Sequence, residues 1–220
     1  MISWHPLPGE TTELYSPVGL RLVDELTGTA PLGKTEALLE VRDLGGSWRA
    51  TDIRDTRSLS GIVCYPGLER HASTAGVGSR HYRVRIVAEF YVPLYRRNSE
   101  GIEFDAFPYN DTNAPQVIVR LPQDAVLTPG PNYPFETHVP VLRGKVVDNT
   151  GAVVPDAVVT QGVRERVLTD RRGTFALPLR WVPENTPTAI DAADERTARV
   201  GTINVQVPDA LGRNQTIQIS

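Results

Sequence analysis

Sulfur is nearly missing from this chain: one cysteine, Cys64, and one methionine in 220 residues. A single cysteine excludes an internal disulfide framework and a cysteine-based zinc finger, and it fits a reducing compartment. Long apolar runs are missing too. No stretch approaches the ~20 residues of a membrane helix. The start, Met1-Ile2-Ser3-Trp4-His5-Pro6-Leu7-Pro8-Gly9, has neither the basic residues nor the apolar core of a signal peptide. The expectation is a soluble, cytoplasmic product with no membrane insertion. There is no excess of positive charge: 23 basic against 26 acidic residues give a net charge of −3. That excludes the basic footprint of a nucleic-acid binder and a polybasic membrane patch. Helical i, i+3, i+4 periodicity is not sustained over any long window.

What the chain does have is turns. Glycine and proline number 18 each, which favours short strands over long helices. Hydrophobic residues make up 40%, enough at this length to bury a core without staples. Residues 1–16 read as an N-terminal arm, with Trp4, Leu7 and Leu14 available for a contact with a neighbouring subunit. Residues 17–97 read as a first β-sandwich domain. In Val18–Val23, Val18, Leu20 and Leu22 alternate with their neighbours at a period of two. Ala37–Val41, Trp48–Thr51, Ser60–Tyr65 and Tyr82–Ala88 follow as strands between turn residues. In the last of these Tyr82, Val84, Ile86 and Ala88 face one way and the arginines the other.

Residues 98–139 carry six prolines and five aromatics and read as an extended connection with one strand, Gln116–Leu121. Residues 140–220 read as a second sandwich with seven strands: Val141–Asp148, Ala157–Gln161, Arg166–Thr169, Thr174–Leu179, Thr188–Ala193, Ala198–Val207 and Thr216–Ile219. Val146, Val158, Phe175 and Leu177 are expected to share its core. The fold class expected is all-β: two Ig-like or transthyretin-like antiparallel sandwiches joined by a Pro-rich connection.

The two halves share a rhythm. Leu20-Arg21-Leu22-Val23-Asp24, then Gly28 and Pro31, parallels Arg143-Gly144-Lys145-Val146-Val147-Asp148, then Gly151 and Pro155. Ser60-Gly61-Ile62-Val63 running to Pro66 matches Arg172-Gly173-Thr174-Phe175 running to Pro178. The second half also resembles the carboxypeptidase regulatory-like domain, a transthyretin-like sandwich. Gly144, Val146, Asp148, Gly151, Pro155, Ala157 to Val159, Thr169, Asp170, Gly173, Phe175 and Leu177 carry that resemblance. It implies an accessory module and no chemistry.

Candidate chemistry is sparse. His71 and His81 flank the loop 72–80 and would have to meet across it to hold a metal; His5 and His138 have no partner at ligand spacing. The loop Asp105–Asn113 is rich in oxygen ligands, but it lacks EF-hand spacing and Asx-turns explain the same residues. Gly76-Val77-Gly78-Ser79 lacks the lysine of a phosphate loop. Cys64 sits in an apolar strand, as a buried small hydrophobe would. A Lys145–Asn204 or Lys145–Asn214 isopeptide, with Glu165 as the acid, is weighed against a solvated Lys145. No catalytic, cofactor or metal residue is assigned.

The whole chain is similar to small accessory proteins of bacterial contractile injection systems, which are phage-tail-like particles. Pro17–Asp24, Tyr82–Ile86, Pro108–Asp111, Pro131–Phe135 and Phe175–Trp181 carry the likeness. It implies a non-enzymatic structural subunit at the cap or cap-adaptor end. It also implies tube, sheath or cap proteins as partners and a homo-oligomeric ring in the particle. The alternative is a carbohydrate- or surface-binding, adhesin-like module using Trp48, Trp181 and nearby tyrosines.

Overall fold

A computed structural model describes residues 14–118 and 121–220, and in them the chain is all-β. Nine strands precede residue 130: β1 (Gly19–Asp24), β2 (Thr35–Arg42), β3 (Trp48–Ala50), β4 (Thr56–Arg57), β5 (Ile62–Cys64), β6 (Arg80–Ala88), β7 (Tyr91–Pro93), β8 (Ile102–Ala106) and β9 (Gln123–Pro129). They form one sheet in the order β4-β5-β1-β9-β7 and a facing sheet β3-β2-β6-β8. Seven follow: β10 (Val141–Asp148), β11 (Val158–Gln161), β12 (Glu165–Leu168), β13 (Thr174–Pro178), β14 (Pro187–Asp194), β15 (Arg199–Gln206) and β16 (Gln215–Ile219). Their sheets run β13-β10-β16 and β12-β11-β14-β15.

Each sheet pair closes on its own buried cluster. Leu20, Leu39, Val63, Val84 and Leu127 centre the first; Leu142, Val146, Phe175, Ile190 and Ile217 centre the second. Period-two alternation delivers these residues inward and sends the charged ones out. In the second cluster Val159, rather than Val158, sits beside Val146, Phe175 and Leu177. Val158 is buried as well, but outside that cluster.

The expected connection at 98–139 needs correcting. Its first part is β8, an edge strand paired with β6, and its last part is β9, which lies between β1 and β7. The prolines misled because they flank these strands: Pro122 precedes β9 and Pro129 ends it. The strand expected at Gln116–Leu121 is not formed in its described part. Val117, Ile118 and Leu121 are all exposed, so their β-type composition buries nothing. What joins the two sheet pairs is the short stretch between Pro129 and Val141. Nor are the sheets purely antiparallel, since β1 runs parallel to β9 and β10 parallel to β16. Residues 1–13 of the expected arm lie outside the described residues. At its end Tyr15 stacks edge-on against Tyr109 at 5.3 Å.

The rhythm read in the sequence corresponds to a shared strand plan, which matches residue for residue at the parallel pair of each half. Leu20–Asp24 pairs with Gln123–Leu127, and Gly144–Asp148 pairs with Gln215–Ile219. Leu20 stands opposite Val63, and Gly144 opposite Phe175. The hairpin partners follow the same plan: β2 with β3 and β6, β6 with β8; β11 with β12 and β14, β14 with β15. Even the turns agree. Gly61 N–H bonds the Ser58 carbonyl and Ile62 N–H the Ser58 hydroxyl; Gly173 N–H bonds the Asp170 carbonyl and Thr174 N–H the Asp170 carboxylate. Both glycines have positive φ, 76° and 68°, which glycine adopts without a Cβ penalty.

The second sheet pair is sealed along one side. Val200 and Ser220 exchange backbone hydrogen bonds, bringing β15 flush against the end of β16. A Cβ on Gly201 would lie 2.0 Å from the Gln218 carbonyl oxygen, so the seam requires glycine there. The two sheet pairs meet through charge. Arg96, in the 3-10 turn Leu94–Arg97, makes two bonds of 2.7 and 2.9 Å to the buried Asp156. Arg196 bonds Glu100 at 2.9 Å and the carbonyls of Arg96 and Ser99.

Candidate functional site

The outer face of the sheet β3-β2-β6-β8 gathers the densest set of ordered polar side chains. Inward Tyr82, Val84 and Ile86 leave His81, Arg83, Arg85 and Val87 outward. Register then sets Glu40 beside Arg83, His81 beside Asp105, and Trp48 beside Arg42. Glu40 takes Arg83, and Arg85 at 3.1 Å. Burial works against its charge, but these two guanidinium bonds prevail and hold Glu40 below the usual carboxylate range. The Arg83 guanidinium sits 4.4 Å from the centre of the Trp48 ring, and the His81 ring lies 5.5 Å from it. The imidazole bridges two acids, Nδ1 to Asp105 and Nε2 to Glu103, each at 2.9 Å. Those bonds, Glu103 first, raise the His81 pKa.

Glu40, Arg83, Arg85, His81, Glu103 and Asp105 are each bonded to a neighbour of this face. The arrangement is a platform in which an aromatic ring lies against the Arg83 guanidinium and the His81 imidazole, with Glu40, Glu103 and Asp105 bonded to those two groups. Beside it lies a groove of about 750 Å³ walled by Leu38, Ile53 and Arg57. Here β2 runs past the end of β3. Its carbonyls are capped by side chains instead: Thr35 by Arg57, Ala37 by the Tyr65 hydroxyl, and Leu39 by Thr51. That blunts an edge otherwise open to strand addition.

The other residues singled out in the sequence are dispersed. His71 pairs with Glu69 at 2.8 Å and does not meet His81. In the 105–113 loop Asp105 serves His81, Asp111 serves Arg70, and Asn110 closes an Asx-turn on Thr112 and Asn113. Among the described residues no group of three or more His, Cys, Asp or Glu side chains is placed to hold a metal ion. Gly76 is a turn glycine with φ 70°. Cys64 is half-buried, not buried; its thiol bonds the Thr56 carbonyl, and burial together with Asp55 pushes its pKa up. Lys145 and Asn204 are both exposed, and Glu165 is held by two bonds from Arg180. Trp181 sits in the other sheet pair from Trp48, under Arg164.

Two clusters were not anticipated. Asp24, buried, accepts the Tyr91 and Tyr133 hydroxyls at 3.2 and 3.0 Å. Glu69, buried with φ 61°, accepts the Tyr82 hydroxyl at 2.5 Å, and burial first, then that bond, pushes Tyr82 up to about 12. Each joins residues far apart in sequence, and only the tyrosines among the apolar strands hinted at partners.

No family model matches the chain, and no curated protein does. Among solved structures it is similar to the crystal structure of BcpA, the major pilin subunit of Bacillus cereus. The identity is 9% and the TM-score 0.28, over 92% of this chain and 68% of that one. A variant of the same pilin gives 9% and 0.27 over the same shares. Similarity at that level carries no argument about function.

Proposed function

We propose that this chain is a non-enzymatic assembly subunit made of two transthyretin-like sandwich domains, the second of them carboxypeptidase regulatory-like. The observation that carries the reading is the duplicated register: one strand plan used twice, with the copies clamped together by Arg96, Asp156 and Arg196. A doubled, ion-paired block suits a part that works by position and contact. We assign it to a contractile injection, phage-tail-like particle, at the cap or cap-adaptor end, on the sequence phrases that resemble such proteins. There it would join a homo-oligomeric ring and contact tube, sheath or cap proteins after synthesis in the cytoplasm.

The test is made on particles. Purified particles should contain the chain by mass spectrometry, and deletion of its gene should alter their length or ends. Particles without it, unaltered by the deletion, would end the assembly reading. One feature favours a second reading, a surface- or carbohydrate-binding module: the half-buried Trp48, its ring held against Arg83 and His81. Reproducible glycan-array binding that is lost in Trp48→Ala would select it.

A further inference from the structure

Between the two sheet pairs lies a cleft of about 280 Å³. Leu26 and Pro129 of the first pair, and Val163 and Pro178 of the second, supply its apolar walls. Its polar lining is three arginines and two glutamates. Arg166 bonds Glu25 at 2.6 Å, and Arg180 bonds Glu165 at 2.7 and 3.0 Å. Arg164 is left over: it has no carboxylate partner among the described residues and lies 5.5 Å over the Trp181 ring. Trp181 is 58% exposed and Val163 fully so. Deeper in, Glu25 Oε2 is buried with no hydrogen-bond partner among the described residues.

The cleft thus presents a spare cation and an exposed aliphatic side chain, and the exposed Trp181 ring lies at its rim under Arg164. Tryptophan and arginine are the residues most often found as energetic anchors of protein interfaces. A guanidinium binds carboxylate better than any neutral acceptor. The volume lies just below the ~300–1,000 Å³ of small-molecule sites, which favours one or two inserted residues over a whole ligand.

We propose that this cleft receives an extended acidic segment of a partner protein. A carboxylate of that segment takes Arg164, and its stem packs on Trp181 and Val163. The surface belongs to the chain whichever particle, if any, contains it.

The experiment is a titration of the isolated full chain with a hexaglutamate peptide at low salt, read by 15N NMR. The shifted signals should be the amides of Val163 to Arg166 and the Trp181 indole N–H. Arg164→Ala and Trp181→Ala change exposed residues and leave the spectrum of the fold intact. Arg164→Ala should weaken binding by about tenfold or more, the loss of one charge-assisted contact. A hexalysine peptide should leave these signals in place. The proposal is overturned if hexaglutamate leaves the cleft unshifted, if it binds Arg164→Ala equally well, or if trigalacturonate binds more tightly, which would make the cleft a saccharide site. None of these outcomes depends on the particle experiments.

Discussion

Leu20 and Val63 face each other in the first sheet pair; at the same register in the second stand Gly144 and Phe175. The two pairs divide similar interior space differently, with a bare backbone under the large ring in the second. A Cβ on Gly144 would meet the Phe175 ring at 2.8 Å and the Gln215 carbonyl oxygen at 2.5 Å. Phe175→Ala is therefore expected to cost roughly 3–5 kcal/mol in denaturant unfolding, and Gly144→Ala about 1–3 kcal/mol from overpacking. A Phe175→Ala loss below about 1 kcal/mol would contradict the packing. His81 gives a pH prediction. Its folded pKa is raised, so the stabilisation from Glu103 and Asp105 is complete below its ordinary value of about 6.5 and fades as pH rises through the raised value. An NMR titration should place the midpoint above that of a model imidazole, and His81→Gln should flatten that part of the stability profile. EDTA should leave the melting temperature unchanged, because the loop oxygens are engaged by Arg70, His81 and the local turn; a fall reversed by calcium would reinstate the 105–113 loop as a site. Trp48 and His81 were each visible in the sequence, but not as neighbours. Their meeting depends on the registers of β3, β2 and β6, which no local pattern encodes.

At the scale of elements, legibility followed length and alternation. β1, β2, β6 and the seven strands from β10 onward run four residues or more with apolar side chains at a period of two or in short buried runs, and the sequence reads them directly. β4 and β7 have two and three residues, too few to show any period. β8 and β9 were masked by prolines at their flanks, although Ile102, Ala125 and Leu127 are buried as in any core strand. The opposite error at Gln116–Leu121 has the same origin: composition proposes a strand, and only a partner makes one. The seam between β15 and β16 yields its own test. Gly201→Ala should lower stability by about 1–3 kcal/mol or more in thermal unfolding, whereas Gly212→Ala, with nothing within 4 Å of its Cβ, should be nearly silent. Equal effects of the two would mean that the strands do not approach so closely.

For the molecule as a whole, the joint between the sheet pairs is ionic where each interior is apolar. Removing Arg96 takes away both close bonds to the buried Asp156 and leaves only Arg196, 3.9 Å away, to offset its charge, which is costlier than losing an exposed pair. Arg96→Ala should therefore loosen the relative placement of the halves while both cores survive. Small-angle scattering should report a larger maximum dimension, with little change in far-UV circular dichroism; an unchanged scattering curve would show that the remaining contacts suffice. The stitched side of the second sheet pair bears on how such a block meets its neighbours. A ribbon with two loose margins can be lengthened from either, but one margin here is hemmed by Val200 and Ser220, and β12, on the other, lies beside β9. A neighbour that joins by lending a strand would thus find the second half already bordered and would turn to the first, whose outer strands are β3, β4, β7 and β8. Of these β8, with five residues, offers the longest margin for backbone pairing.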